Sequence, residues 1–339
     1  MQKLLGKQIL LVGPRFFGYE QDIANELRRQ GAVVDFLPDR PFESPFMKAV
    51  TRYRRKWILP MADRYFLSSV ESFGRTNYDL IFVIQGETVS INTITALRAT
   101  YPKAQLVWYL WDSLRNKKSL IPNIFLFDDC YTFDETDSKS YGMTFRPLFF
   151  SPGFSQPATQ HFKYHLSFIG TAHSDRFRII SDVIGAMPEK AKGYWYLYLQ
   201  ARWVFWAQKL GNPAYRNANI ANFSFDPLSK QEVQTVFFDS LAILDIEHPR
   251  QTGLTMRTFE TMGAGKKLIT TNALVKNTDF YNPENIMVIE RNRPIILNAD
   301  FFSTPYQQPA PELYRKYSLE GWLKDVISAT YCTHTTEPS

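Results

Sequence analysis

Cysteine and histidine are scarce in this chain. Its 339 residues hold two cysteines, Cys130 and Cys332, and five histidines. The cysteines stand far apart and in no metal-ligand spacing, which excludes a disulfide scaffold or a zinc module and points to a reducing compartment. No apolar run approaches the roughly 20 residues that cross a bilayer. The first residues lead straight toward a strand and carry no signal-peptide pattern, so a cytoplasmic protein is expected. The G-x-G-x-x-G fingerprint is missing, so NAD is not expected. There is no Arg-rich tail, so nucleic acid is not an expected partner. Internal repeats and low-complexity segments are absent.

Apolar residues make up 45% and charged residues 21%, a globular balance, and the length suffices for two domains. Aromatics reach 15%, with 27 Phe, 18 Tyr and 7 Trp. Such side chains suit surfaces for rings, sugars or membrane interfaces, and they also build cores. The net charge of +6 suits an anionic partner: a nucleotide-sugar, a lipid diphosphate or an anionic membrane.

The first half alternates strands and helices. Residues 8–13 form a buried strand, 19–30 a helix and 32–37 a second strand, a Rossmann-like opening. Residues 46–73 read as one long helix or two short ones broken at Pro60. There Arg52, Arg54, Arg55, Lys56 and Arg64 stand among Phe46, Tyr53, Trp57, Tyr65 and Phe66. That face suits an anionic membrane, or is an ordinary solvated basic face. Strands at 78–84, 105–110 and 128–134 follow. Ligand-binding residues of parallel sheets collect past the C-terminal strand ends, which places Glu87 and Asp112 as candidates. Asp134-x-x-Asp137 reads as a helix start rather than a metal pair. The first domain spans 1–150, and 151–160, with Pro152, Gly153 and Pro157, is the expected linker.

In the second half, 164–170 is a strand, and Thr171-Ala-His-Ser-Asp-Arg176 enters a helix. A strand at 194–199 precedes a helix at 201–210 that carries Trp203, Phe205 and Trp206, a set suiting an interfacial patch or a core. A helix begins after Ser229, with Glu232 completing a capping box. The second domain spans 151–317, with a late strand at 285–289, a last helix at 318–330 and a tail at 331–339.

One stretch organises this half. Leu241-Ala-Ile-Leu-Asp-Ile246 reads as a buried strand. Gly253-Leu254-Thr255 then opens a helix that Thr252 or Thr255 can cap. Met256, Phe259 and Met262 give it an apolar stripe, Gly263 and Gly265 end it, and 268–271 restarts a strand. A helix N-terminus has unpaired N–H groups and about half a positive charge, which suits a phosphate. Arg257 adds a charged fork in the first turn. Glu260, one turn on, could accept hydrogen bonds from a ribose. The same pattern also fits a capped core helix.

The run Gly253-Leu-Thr-Met-Arg-Thr-Phe-Glu-Thr-Met-Gly-Ala-Gly-Lys-Lys-Leu-Ile-Thr-Thr271 resembles the donor-binding segment of GT-B glycosyltransferases. It is most like that of the bacterial capsule, lipopolysaccharide and spore-coat polysaccharide transferases, the CgeB-like proteins. The similarity is dense over 240–272 and looser over 8–325. The resemblance implies an α/β fold of two Rossmann-like domains facing a cleft, with the last helix crossing back to the first domain. It implies a nucleotide-sugar donor, UDP- or dTDP-linked, with no cofactor and no metal. Gly253, Leu254, Thr255 and Arg257 would hold the diphosphate, with Gly170, Thr171 and Arg176 from the earlier strand. His173 would contact a phosphate or the sugar, Glu260 the ribose, and Phe225, Pro227 and Leu228 the nucleobase. The acceptor would be a glycan or a lipid-linked saccharide, with peripheral contact to the inner membrane face.

Many retaining members carry a second glutamate eight positions before Glu260. This chain has Thr252 there, which favours inversion. An inverting enzyme needs a base, and Glu87 and Asp112 are the candidates, with Glu20 behind them. Two other readings stand: a nucleotide-sugar 2-epimerase on a similar frame, and a donor-binding or scaffold subunit of a polysaccharide assembly complex.

Overall fold

Strands that are apolar at every position belong to parallel sheets covered on both faces. Leu80–Ile84, buried throughout, is such a strand. The structure, a computed structural model, describes residues 4–41, 45–155, 161–249 and 252–332, without the side chains of 45–54 and 328–332. Part of the expected linker (156–160), most of the tail (333–339) and the side chains of Phe46, Arg52, Tyr53 and Arg54 therefore lie outside the described residues. The chain divides into two units, Met1–Pro147 with Leu319–Ser339, and Leu148–Ser318.

The first unit runs β1 (Gln8–Gly13), α1 (Tyr19–Arg29), β2 (Val33–Pro38), α2 (Pro45–Ser72), β3 (Leu80–Ile84), α3 (Ile91–Thr100), β4 (Gln105–Leu110), β5 (Asp129–Thr132), α4 (Glu135–Tyr141) and β6 (Thr144–Phe145). The strands form one parallel sheet in the order β2-β1-β3-β4-β5-β6. Ile9 pairs with Val34 on one side and Leu80 on the other. Asp134 caps α4 by accepting from the amides of Thr136 and Asp137.

Pro60 does not break α2, which is one helix of 28 residues. Lys56 and Pro60 both lie on its exposed face, so the carbonyl freed one turn before the proline meets water. Ile58, Ala62, Phe66 and Val70, four apart, bury the other face in the core. Arg55 turns inward and donates to the carbonyls of Glu87 (2.7 Å) and Val89 (3.1 Å). Trp57 and Met61 stay exposed.

The second unit runs β7 (Tyr164–Thr171), α5 (Arg176–Ala186), β8 (Gly193–Tyr198), α6 (Arg202–Gly211), β9 (Phe223–Ser224), α7 (Lys230–Phe238), β10 (Ser240–Asp245), α8 (Met256–Gly263), β11 (Lys267–Thr270), β12 (Ile286–Val288), α9 (Ala299–Ser303) and α10 (Pro311–Lys316). Its parallel sheet has the order β12-β11-β10-β7-β8-β9. Strands β6 and β9 are two residues long. A two-residue strand has no period to show, and neither was read from the sequence. The short helices α9 and α10 were missed as well. Among the described residues no helix is long and apolar enough to cross a membrane.

The last helix, α11 (Leu319–Cys332), packs on the first unit's sheet. Its Trp322 is fully buried, with its ring edge-on to Tyr109 at 4.7 Å and tilted against Phe82 at 5.9 Å. Arg146 and Asp325 pair at 2.9 Å beside it. Truncating a buried Trp costs about 3–5 kcal/mol. Trp322→Ala is expected to lower the unfolding free energy of the first unit by that amount, read from urea titration, while hydrogen exchange in β7 and β10 stays as in the wild type.

Candidate functional site

In a doubly wound sheet the ligand crevice lies where consecutive connections leave in opposite directions, past the C-terminal strand ends. In the second unit β7 has β8 on one side and β10 on the other. Gly170 and Thr171 end β7, and Asp245 ends β10, with Ile246 to His248 following it. Helix α8 begins eleven positions after Asp245, at Met256.

Asp245 is fully buried at the end of an otherwise apolar strand. Oδ2 accepts from the hydroxyls of Thr255 (2.7 Å) and Thr258 (3.0 Å), and Oδ1 accepts from Arg257 Nη1 (3.2 Å). One carboxylate thus ties the first turn of α8 to the sheet. Thr255 occupies the N-cap position, but its hydroxyl is spent on Asp245 and makes no capping hydrogen bond. The carbonyls of Thr252 and Gly253 accept from Asn272 Nδ2 at 3.3 and 3.4 Å, which steers the chain into the helix. The first turn carries the positive end of the helix dipole.

Arg257 also donates to the Ile169 carbonyl and lies over the Phe168 ring, 5.4 Å from its centroid. Its side chain stays 18% exposed. Arg176 lies over the same ring at 5.7 Å. It is not the open fork expected of it: Nε and Nη2 donate to the Ile246 carbonyl and Nη1 to Thr171. Burial, then repulsion from Arg257, lowers it to about 9. A Cβ on Gly170 would sit 3.0 Å from the Phe168 ring and 3.3 Å from both Arg176 Nη1 and Arg257 Nη2, so glycine leaves room for the two guanidiniums at the strand end. Arg291 is held by Glu247 (2.8 Å) and Asp175 (2.7 Å). His173 lies tilted against His248, with ring centroids 5.1 Å apart. Burial, Arg176, His248, Arg257 and Arg291 together push His173 down to about 3, so it is neutral at pH 7.

The expected donor residues therefore gather along one sheet edge. Gly170 and Thr171 end β7. Gly253, Leu254 and Thr255 lead into α8, and Glu260 is a buried residue of that helix, 5% exposed. Phe225, Pro227 and Leu228 follow β9, two strands from β7, or about 10 Å along the edge. Asp226 in that loop accepts from the Tyr196 hydroxyl at 2.5 Å. Asp245, Glu247, Asn272 and Arg291 had no role in the sequence reading. The one signal for Asp245 was a lone acid in an apolar buried strand, which must be paired.

The first unit holds the candidate bases. Glu87 is bound to Lys117 (2.6 Å) and Arg40 (3.5 Å). Asp112 is partly exposed, and its Oδ1 accepts from Asn116 at 3.2 Å. Glu20 is buried and accepts from the Phe16 amide at 3.2 Å. Asp39, which the sequence reading passed over, accepts from the Glu87 amide at 2.9 Å, and burial pushes its carboxyl up to about 6. Gln85, beside it in the β3 loop, has φ of 59°, the left-handed region.

No protein-family model and no curated protein matches the chain. Solved structures do match it. It is similar to Anabaena Alr3699/HepE in complex with UDP-glucose at 10% identity, over 96% of this chain and 99% of that one, with a TM-score of 0.59. It is also similar to AviGT4, a glycosyltransferase involved in avilamycin A biosynthesis, at 12% identity over 96% of both chains, with a TM-score of 0.51. The likeness is one of fold: two parallel six-stranded α/β sheets of the GT-B type.

A histidine held at about 3 against 6.5 in the unfolded chain keeps its full contribution above pH 6.5 and loses it as pH falls from 6.5 toward 3. The second unit of the wild type should weaken between pH 7 and 5 more than that of His173→Gln. Urea midpoints at the two pH values check this, and equal losses would refute it.

Proposed function

We propose that the chain transfers a sugar from a nucleotide-sugar, UDP- or dTDP-linked, to an acceptor hydroxyl. The observation that carries this is the helix start at the β7/β10 switch point: α8, whose N-cap Thr255 makes no capping hydrogen bond, aligned by Asp245 and flanked by the partly exposed Arg257. Such an end suits the diphosphate, and the GT-B fold adds weight, since the HepE crystal holds UDP-glucose. Glu260 is assigned to the ribose. The loop at Phe225, Pro227 and Leu228 is assigned to the base.

The acceptor oxygen attacks the anomeric carbon while the bond from that carbon to the diphosphate oxygen breaks. The nucleoside diphosphate leaves with the electron pair, stabilised by the α8 amides and Arg257. The acceptor proton passes to a carboxylate. We assign this base to Asp112 ahead of Glu87, because Glu87 is already bound to two cations. Thr252 in place of a second glutamate supports inversion. The resemblance of 253–271 to surface-polysaccharide transferases supports a glycan or lipid-linked acceptor and a cytoplasmic protein at the inner membrane face.

Thermal shifts with UDP, dTDP and their sugars test the donor site, because a ligand of the folded state alone raises the melting temperature. One nucleoside diphosphate series is expected to shift the wild type. Losing a charge-assisted hydrogen bond of about 1.5–3 kcal/mol should weaken that binding roughly 10- to 100-fold in Arg257→Gln, and Glu260→Ala should reduce it as well. If no nucleotide shifts the protein up to millimolar concentration, the reading fails. Conversion of a nucleotide-sugar without any acceptor would favour the epimerase instead.

A further inference from the structure

We propose that the outward face of α6 docks on an anionic lipid bilayer. This deepens the peripheral-membrane part of the proposed function, and it does not depend on nucleotide binding. Phe205 is the buried residue of α6 and packs into the second unit's core. On the solvent side Trp203, Trp206 and Leu210 are 72%, 56% and 90% exposed. Their spacing of three and four residues lines them along one helix face. Trp206 is held edge-on against Phe205, ring centroids 5.2 Å apart, so the stripe rests on the core. Three large apolar side chains side by side in water mark an interaction surface.

The charge around them selects the partner. Residues 193–225 contain Arg202, Lys209 and Arg216 and no Asp or Glu. All three cations are exposed. Arg202 lies over the Phe225 ring at 5.4 Å, and Lys209 donates to the Ala218 carbonyl at 2.6 Å, so two of the three have fixed places beside the stripe. A second copy docking through a two-fold axis would bring these cations against their own kind. An anionic bilayer answers both features. Indoles settle at the boundary between headgroups and acyl chains, and Arg and Lys reach the lipid phosphates.

The test uses the full chain with vesicles of phosphatidylcholine, alone or mixed with phosphatidylglycerol, in co-sedimentation assays. Binding is expected only with phosphatidylglycerol present and should weaken with added salt. Trp203→Ser with Trp206→Ser should lower it roughly tenfold or more, since each indole loses its apolar burial. Arg216→Gln should lower it about fivefold, the worth of one surface charge near anionic lipid. Trp57→Ser, on the first unit's exposed helix, should change it far less. Both indole substitutions are on the surface, and an unchanged thermal shift with nucleotide would show that the fold and the donor site are intact. The proposal is overturned if the wild type ignores phosphatidylglycerol vesicles or if Trp57→Ser has the larger effect. It is equally overturned if the double variant binds vesicles as the wild type does, loses nucleotide binding, or only dissociates a dimer.

Discussion

The second unit depends on one buried carboxylate. An unpaired charge in the interior costs several kcal/mol, so Asp245 must collect donors wherever the chain can bring them. It collects them from three residues of one short segment: Thr255, Arg257 and Thr258. That choice fixes the start of α8 against the end of β10. Arg257 extends the tie to β7 through the Ile169 carbonyl and the Phe168 ring. The helix therefore enters the switch point in one orientation.

The other charges at the same edge act as supports. Arg291 links the Asp175 turn to Glu247, and Arg176 closes the ends of β7 and β10 through backbone carbonyls. Each guanidinium is held by more than one partner, so its place is fixed by the fold. Burial and these cations together keep His173 neutral. On the far side of the sheet, Lys267 is buried and directs Nζ to the carbonyls of Glu284 (2.8 Å) and Phe301 (2.5 Å) and to the Thr304 hydroxyl (2.6 Å). Three acceptors for three donors make that lysine a structural element.

The first unit handles its acids differently. At its strand ends Glu87 is bound by Lys117 and Arg40, and its amide in turn donates to buried Asp39. Arg55 from α2 grips the same loop. The strained turn at Gln85 and Gly86 is thus held from several sides, as a loop with two left-handed residues in a row requires. Asp112 joins this turn through its amide, which donates to Gln85 Oε1 at 3.1 Å, while its carboxylate is partly exposed and stands outside the Lys117 and Arg40 pairs that hold Glu87.

The sequence by itself determined the α/β alternation, the apolar strands, the capping box at Ser229 and the helix that follows Gly253, because period and cap chemistry are local. It also placed Gly170, Arg257 and Glu260 on the elements that carry them. Only the tertiary structure decided which strands adjoin, and hence that the ends of β7 and β10, some 75 residues apart in the chain, share a crevice. It also decided partners. Arg176 is spent on carbonyls, Thr255 on a carboxylate, and Pro60 rides in an unbroken helix, because burial and solvent exposure outweigh local propensity. Whether Trp203 and Trp206 face a core or water could not be read from spacing, since both faces of α6 are apolar. The fold resolved it by giving the core Phe205 and leaving the two indoles outside.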